Sequence, residues 1–288
     1  WLFARVQLEE SLDLLVIDEA GQLSLANVVA VASAATNLLL VGDPQQLAQP
    51  SQGTHPDGAG VSALDHVLRG HPTIPDHLGL FLDRTWRMHP EICAFISEQV
   101  YESRLESEAR CAQQRVGEGP LLEGAGLRWV PVLHEGNRIS SAEEATAIKT
   151  LVQLLVGRPW IDEDGHRAPL GLNDILVVAP YNAQVNLLAD VLPAGARIGT
   201  VDRFQGQEAA VVIVSMAASS AEDAPRGMEF LYSRNRLNVA VSRAQAMTVM
   251  VGSPSLLSVT CRSVEQMRLA NVLCRYVEMA AHVELDPT

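Results

Sequence analysis

Runs of consecutive apolar residues recur along the chain where alternating patterns would be expected of half-exposed strands. LDLLVIDEA at 12–20, NLLLVGDP at 37–44, LGLFLD at 78–83 and LRWVPV at 127–132 come first. DILVVAPY at 174–181, ARIGTVD at 196–202, AAVVIVSM at 209–216 and MTVMVGS at 247–253 follow. A strand covered on both faces presents no polar side, so uninterrupted Val, Ile and Leu predict buried strands. The helical patterns between them supply the crossovers that a parallel sheet needs. The fold class read from this pattern is α/β.

One helix is marked at both ends. SSAEEATAIKTLVQLLVG offers Ser141 as N-cap, Glu144 three residues on as its capping-box partner, apolar positions at helical spacing and Gly157 at the end. Its acidic first turn suits the helix dipole. AQPSQGTHPDGAGVS predicts a long loop after the second strand, and GRPWIDEDGHRAPLGLN predicts another between the marked helix and the next strand. Two prolines within RGHPTIPDHLG place a domain boundary near residues 70–77.

Composition narrows the class. With 288 residues, 48% of them hydrophobic, the chain can bury substantial cores. A formal net charge of -13 excludes a general nucleic-acid coat protein, because the whole-molecule field repels phosphate, while leaving room for a local basic groove. Cys93, Cys111, Cys261 and Cys274 form no C-x-x-C pair, so neither a zinc site nor a disulfide framework is expected, and a reducing, cytoplasmic setting is. No apolar run reaches the ~18 residues of a membrane span, and no signal-peptide pattern opens the chain. Lys149 is the only lysine among 21 basic residues.

Two strands end in acidic or polar clusters suited to nucleotide chemistry. LLVIDEAGQ delivers Asp18 and Glu19 to the carboxyl end of a buried strand, where an aspartate can hold Mg²⁺ and a neighbouring glutamate can polarise a water. VGDPQQL makes a tight Asp-Pro turn, from which Gln45 can reach a γ-phosphate through a neutral hydrogen bond. TWRMHPEI, VVAPYNAQ, GTVDRFQGQE and NVAVSRAQ follow in order.

These six ordered motifs closely resemble those of the superfamily 1 helicases, in particular the branch containing the nonsense-mediated-decay RNA helicase and the helicase-nuclease of Okazaki-fragment processing. The resemblance runs from about residue 12 to about 253. It implies tandem RecA-like P-loop NTPase domains with parallel sheets, the first incomplete, and ATP and Mg²⁺ as cofactors. By resemblance, Asp18 is the Mg²⁺ ligand, Glu19 the water-activating carboxylate and Gln45 the γ-phosphate contact. Arg87 and Arg243 match the two arginines that reach the phosphates, and Glu208 a residue that accepts from the ribose. Gly206 allows close backbone approach. Trp86 stands where the family commonly has a base-stacking tyrosine, a role an indole can fill. Thr200, Pro180, Tyr181 and Gln184 match positions near a bound single strand of DNA or RNA, and Ala179 stands where the family often has threonine. Arg234 and Arg236 read equally as phosphate contacts or as solvated residues at a helix start. Asp202 and Arg203 read equally as a link between nucleotide and strand or as an internal ion pair. His89 reads as structural.

The phosphate-cradling loop G-x-x-x-x-G-K-[ST] has no match in the chain, and Lys149 lies within the marked helix with no glycine-rich turn before it. Together with the opening on Trp1, this leads us to expect a fragment of a longer protein. In that organisation residues 1–75 close a first RecA-like domain, 76–260 form the second and 261–288 add a helical extension. The implied function is a portion of an ATP-dependent helicase or single-strand translocase, moving 5′-to-3′ and inactive as an isolated chain. Any fused or partner nuclease lies outside it. The competing reading is a non-enzymatic relic that binds nucleic acid or protein.

Overall fold

A computed structural model describes residues 2–47 and 60–285, so most of the long loop expected at AQPSQGTHPDGAGVS lies outside the described residues. The chain forms two compact units, Trp1–Leu82 and Asp83–Thr288. The division falls a little beyond the expected prolines.

In the first unit, β1 (Leu12–Ile17), α1 (Leu25–Ala32), β2 (Ala35–Leu40) and α2 (Ala63–Leu68) follow in order, and β1 pairs with β2 in parallel from Leu12↔Ala35 to Ile17↔Leu40. Ser24 and Ser62 cap the two helices by accepting from Asn27 N and Asp65 N. Leu15 and Ile17 face a core shared with Ala20, Val28, Ala63 and Leu64. Leu14 and Val16, expected to be covered, are about half exposed. Within this unit the described residues cover only one face of the sheet, so an unbroken apolar run does not by itself bury both faces.

The second unit continues with β3 (Arg84–Thr85), α3 (Pro90–Val100), β4 (Glu106–Ser107), β5 (Arg115–Val116), β6 (Gly126–Pro131), α4 (Ala142–Leu155), β7 (Pro159–Ile161) and β8 (Arg167–Pro169). There follow β9 (Ile175–Val178), α5 (Asn182–Val191), β10 (Arg197–Gly199), β11 (Ala209–Ser215), α6 (Met228–Leu231), α7 (Arg234–Val241), β12 (Ala244–Gly252), α8 (Val264–Met279) and β13 (Ala281–His282). Six strands make one sheet in the order β10-β9-β11-β12-β6-β13, every neighbouring pair parallel. Alternate residues of these strands serve different layers. Ile175, Val177, Val211, Ile213, Val249 and Val251 share a core with Ile148, Leu151, Val152 and Leu155 of α4 and Leu188 of α5. The opposite parity meets α3, α7 and α8, where Tyr276 is fully buried, donates to the carbonyl of Thr248 at 3.0 Å and crosses Phe95 edge-on at 5.3 Å.

The expected fold class, α/β with a parallel sheet, is therefore what the chain adopts, but three local expectations change. LGLFLD is not a strand: Leu80 and Leu82 are 89% and 78% exposed, and the ladder to β4 is made by Arg84 and Thr85 beyond it. Without a ladder to join, alternating leucines do not make a strand. The loop expected at GRPWIDEDGHRAPLGLN holds an antiparallel hairpin, β7 and β8, turned at Gly165 with φ +83° and extended by β5. The C-terminal helix is no appendage, since α8 supplies Tyr276 to the core and leads into β13 at the sheet edge. No described helix is long and apolar enough to cross a membrane.

Candidate functional site

At the carboxyl ends of β1 and β2 the DEAGQ and GDPQQ turns are pressed together. Ala20 N donates to the carbonyl of Val41 at 2.9 Å, and a Cβ on Gly21 would stand 2.5 Å from the carbonyl oxygen of Asp43, so no other residue fits there without moving backbone. Glu19 takes a left-handed φ of +53°, a conformation that costs a non-glycine residue about 1 kcal/mol and gathers at functional turns. Asp18 and Glu19 are both exposed. Asp18 Oδ1 accepts from Glu19 N at 2.9 Å, and Glu19 Oε2 accepts from Gln22 Nε2 at 2.9 Å. Asp18 is exposed and its second carboxylate oxygen accepts no hydrogen bond among the described residues, which fits Mg²⁺, an ion held by one or two carboxylates with phosphates and water. Gln45 is buried, its amide nitrogen donating to the carbonyl of Pro72 at 3.1 Å.

In the second unit Trp86, Arg87, Glu208, Arg243 and Gly206 gather at the amino end of the sheet, just before β11 and β12. Arg87 Nε donates to Glu208 Oε2 at 2.5 Å and its NH1 to the carbonyl of Ser242 at 3.3 Å. Gln245 Nε2 donates to the other oxygen of Glu208 at 3.1 Å, while Gln114 holds the Arg87 carbonyl at 2.8 Å. Sequence reasoning missed both glutamines; Gln245 lies inside the quoted NVAVSRAQ, but its partner is 37 residues away. Trp86 is 58% exposed, with the guanidinium of Arg110 at 5.1 Å from its ring. Arg243 is turned inward: 4% exposed, it donates from Nε to the carbonyl of Val239 at 3.2 Å and from NH1 to that of Gln207 at 3.4 Å. Gly206, next to Gln207, has φ +74°, which a side chain would strain. His89 behaves as expected, capping α3 by accepting from Glu91 N at 3.3 Å. Its own N–H donates to the carbonyl of Gln245, so the WRMH segment is tied to β12.

Thr200, Pro180, Tyr181 and Gln184 gather at the opposite, carboxyl end, after β9 and β10. The structure corrects Gln184 as a strand contact. It is fully buried and spent on the protein: Oε1 accepts from Ser141 N at 2.8 Å, and Nε2 donates to the Ser141 carbonyl at 3.2 Å and to Ser215 Oγ at 3.0 Å. This also revises the capping box. Ser141 Oγ accepts from Glu144 N at 3.1 Å as expected, but the reciprocal bond to Ser141 N comes from Gln184. Glu144 instead faces a wholly buried cluster, accepting from Ser215 Oγ at 2.5 Å and Ala217 N at 2.9 Å and meeting His134 Nε2 at 3.0 Å, whose Nδ1 meets Ser219 at 2.7 Å. A buried carboxylate demands such partners. Tyr181 is also buried, and its ring packs 5.5 Å from that of Phe230.

The segment from Thr200 to Glu208 runs from one end of the sheet to the other. Asp202 and Arg203 do not pair with each other. Asp202 meets Arg236 NH1 at 3.3 Å, and Arg203 NH1 donates to the carbonyl of Ile198 at 3.0 Å. Arg236 is thus bound to this segment at the carboxyl end, and Arg243, seven residues on and just past the end of α7, lies at the amino end.

Comparison with known families bears on this arrangement directly. A family model described as an AAA domain matches residues 60–255, more than half of the chain. The chain belongs to that family. The chain is similar to "DNA replication ATP-dependent helicase/nuclease JHS1" of Arabidopsis thaliana, 26% identical over 272 residues that cover 85% of this chain and 19% of that protein. It is similar also to "Probable RNA helicase armi" of Drosophila melanogaster, 28% identical over 289 residues covering 84% of this chain and 23% of that protein. The chain therefore falls in the superfamily 1 helicase branch and spans about a fifth of the length of these relatives. Among solved structures, the helicase nonstructural protein 10 of Arterivirus aligns with a TM-score of 0.42 at 16% identity, covering 83% of this chain and 38% of that one.

Proposed function

We propose that this AAA domain is a portion of an ATP-dependent helicase or single-strand translocase, acting on DNA or RNA, in which ATP hydrolysis drives movement along the strand, 5′-to-3′ by its branch. The observation that carries the reading is the sorting of its residues on one parallel sheet. Arg87, Glu208 and Arg243 lie at the amino end and Thr200 and Pro180 at the carboxyl end, with the segment between Thr200 and Glu208 joining the two. The first unit carries the carboxylates and the second the arginines.

In this reading Asp18 holds Mg²⁺, which when bound neutralises charge on the β- and γ-phosphates. Glu19, exposed and oriented by Gln22, accepts the proton of the attacking water. Gln45 contacts the γ-phosphate. Arg87, fixed by Glu208 and the Ser242 carbonyl, turns its remaining N–H groups to phosphate, and Arg243 joins it by swinging from the carbonyls of Val239 and Gln207. Planar, permanently charged guanidinium groups suit this task. Trp86 stacks on the base, Glu208 accepts from the ribose with lone pairs its two protein donors leave over, and Gly206 keeps the adjacent backbone close. Thr200 and Pro180 flank the strand through hydroxyl and backbone groups that grip phosphate without reading sequence. The free cysteines support a reducing, cytoplasmic setting, and a nuclease such as that named for JHS1 would lie outside these residues.

The test is Arg243→Ala in a protein that also carries the phosphate-binding loop: strand-stimulated ATP turnover is expected to fall by ~10³-fold or more. Unchanged turnover would assign the finger to another residue. The 288 residues alone, having no lysine-bearing phosphate loop, are expected to hydrolyse ATP negligibly.

A further inference from the structure

The connections leaving β9 and β11, adjacent strands of the sheet, run in opposite directions: α5 carries the chain outward to β10, and α6 and α7 carry it back to β12 on the other face. Parallel sheets open a ligand crevice at the carboxyl ends of their strands where connections diverge in this way. Here a pocket opens there, lined by Pro180 after β9, Val201 after β10, Ser215 and Met216 at the end of β11, and Phe230 and Arg236 from the α6–α7 region.

Three observations around Phe230, which lines the pocket, point to one kind of occupant. Phe230, half-buried, carries two guanidinium groups against its ring, Arg226 at 3.8 Å and Arg236 at 4.3 Å from the centroid. Arg236 is compensated by Asp202 at 3.3 Å, whereas Arg226 is exposed and makes no ion pair among the described residues. In a chain of net charge -13, an uncompensated arginine held on an aromatic ring is a local site of opposite sign. The third observation is the hydroxyl of Tyr181. It is buried with no hydrogen-bond partner among the described residues, its ring packed on Phe230. Burial pushes its proton affinity up, and the positive charges of Arg226 and Arg236 oppose that push. An anion with a flat apolar part satisfies all three groups, and a nucleotide of a single strand is such a ligand.

We propose that Arg226, held on Phe230 at this crevice, contacts the bound single strand, taking a base on its guanidinium plane and a phosphate on its N–H groups, with Tyr181 donating to the same nucleotide. The inference rests on the strand-binding reading above and adds residues that none of the helicase motifs contains.

The test measures fluorescence anisotropy of fluorescein-labelled oligothymidylate and oligouridylate with the 288-residue chain, as wild type, Arg226→Gln and Phe230→Leu, over a salt series. Arg226 is exposed, so its replacement leaves the fold intact, which circular dichroism checks. Wild type is expected to bind, and Arg226→Gln to bind about tenfold more weakly. The slope of log affinity against log salt should become shallower by about one in that variant. Phe230→Leu keeps apolar volume but removes the ring, and should weaken binding severalfold. If wild type binds and Arg226→Gln binds equally, with the same salt slope, the inference is overturned while strand binding stands. If wild type binds neither oligonucleotide at low salt, the strand-binding reading fails and the inference goes with it.

Discussion

Arg87 and Glu208 lie 121 residues apart in the sequence, yet Arg87 Nε donates to Glu208 Oε2 at 2.5 Å. The pair joins the WRMHP turn to the entrance of β11, and its side chains are a third to a half exposed. Charges so exposed contribute little to folding, under about 1 kcal/mol. Glu208→Gln should therefore leave chemical denaturation of the chain almost unchanged while weakening nucleotide binding in a protein with the phosphate loop. A loss of stability well above that figure would make the pair a structural tie and remove the reason to assign Glu208 to the nucleotide.

The buried cluster around Glu144 should behave in the opposite way. Gln184→Leu fills the space but strands the buried N–H of Ser141, at about 1–3 kcal/mol, and takes one of two hydrogen bonds each from the Ser141 carbonyl and the Ser215 hydroxyl. Urea unfolding is the measurement. Thr200→Val, at the same end of the sheet but outside the cluster, should cost far less. Equal losses in the two would mean that the cluster is not a cooperative unit.

Two glycines make a matched pair of tests. At Gly206 nothing stands within 4 Å of a new Cβ, so Gly206→Ala bears only the strain of φ +74°, about 1 kcal/mol. At Gly21 the new Cβ would collide with the Asp43 backbone, and Gly21→Ala should disrupt the first unit more severely. Comparing thermal midpoints of the two variants distinguishes strain from collision; the reverse order would contradict the packing of the DEAGQ turn on the GDPQQ turn.

His89 sets a pH dependence. Burial lowers its proton affinity below the ordinary 6.5, outweighing the nearby carboxylate of Glu91. The unfolded chain therefore binds the proton more readily than the folded one. Its contribution is fully present above pH ~6.5 and declines as pH falls through that value toward the lower folded pKa. His89→Asn keeps an N-cap and cannot titrate. The fall in stability between pH 8 and pH 5.5 should be smaller in this variant, and an unchanged fall would place the titrating group elsewhere.

Much of this was legible in the residues. Continuous apolar runs marked β1, β2 and all the strands of the large sheet except the two-residue β13; in the large sheet burial on both faces leaves that signal in composition itself, whereas β1 and β2 carry it with one face covered among the described residues. Ser141 and Gly157 marked the limits of α4 because capping is local chemistry. Contacts made at long range left no such mark. LGLFLD carried a strand-like pattern yet lies outside the ladder that Arg84 and Thr85 make, and the β7–β8 hairpin hid in a segment rich in turn residues. Gln184 carried a helicase motif pattern that gave no sign of its burial, which depends on Ser141 and Ser215, 43 and 31 residues away. Arg226 and Phe230 lay between motifs and became visible only when folding set them beside Tyr181.

The strand order of the large sheet also sets a timetable for its birth. β6, the first of its strands to be made, sits between β12 and β13, the last two. Its hydrogen-bonding edges find no partner until more than a hundred further residues have left the ribosome, on the order of ten seconds at ordinary elongation rates. Throughout that interval Leu127, Trp129 and Val130, all buried in the finished molecule, must be shielded by nascent helices or by a chaperone. Nascent chains stalled before β12 should therefore be aggregation-prone even though most of their secondary structure has already been encoded.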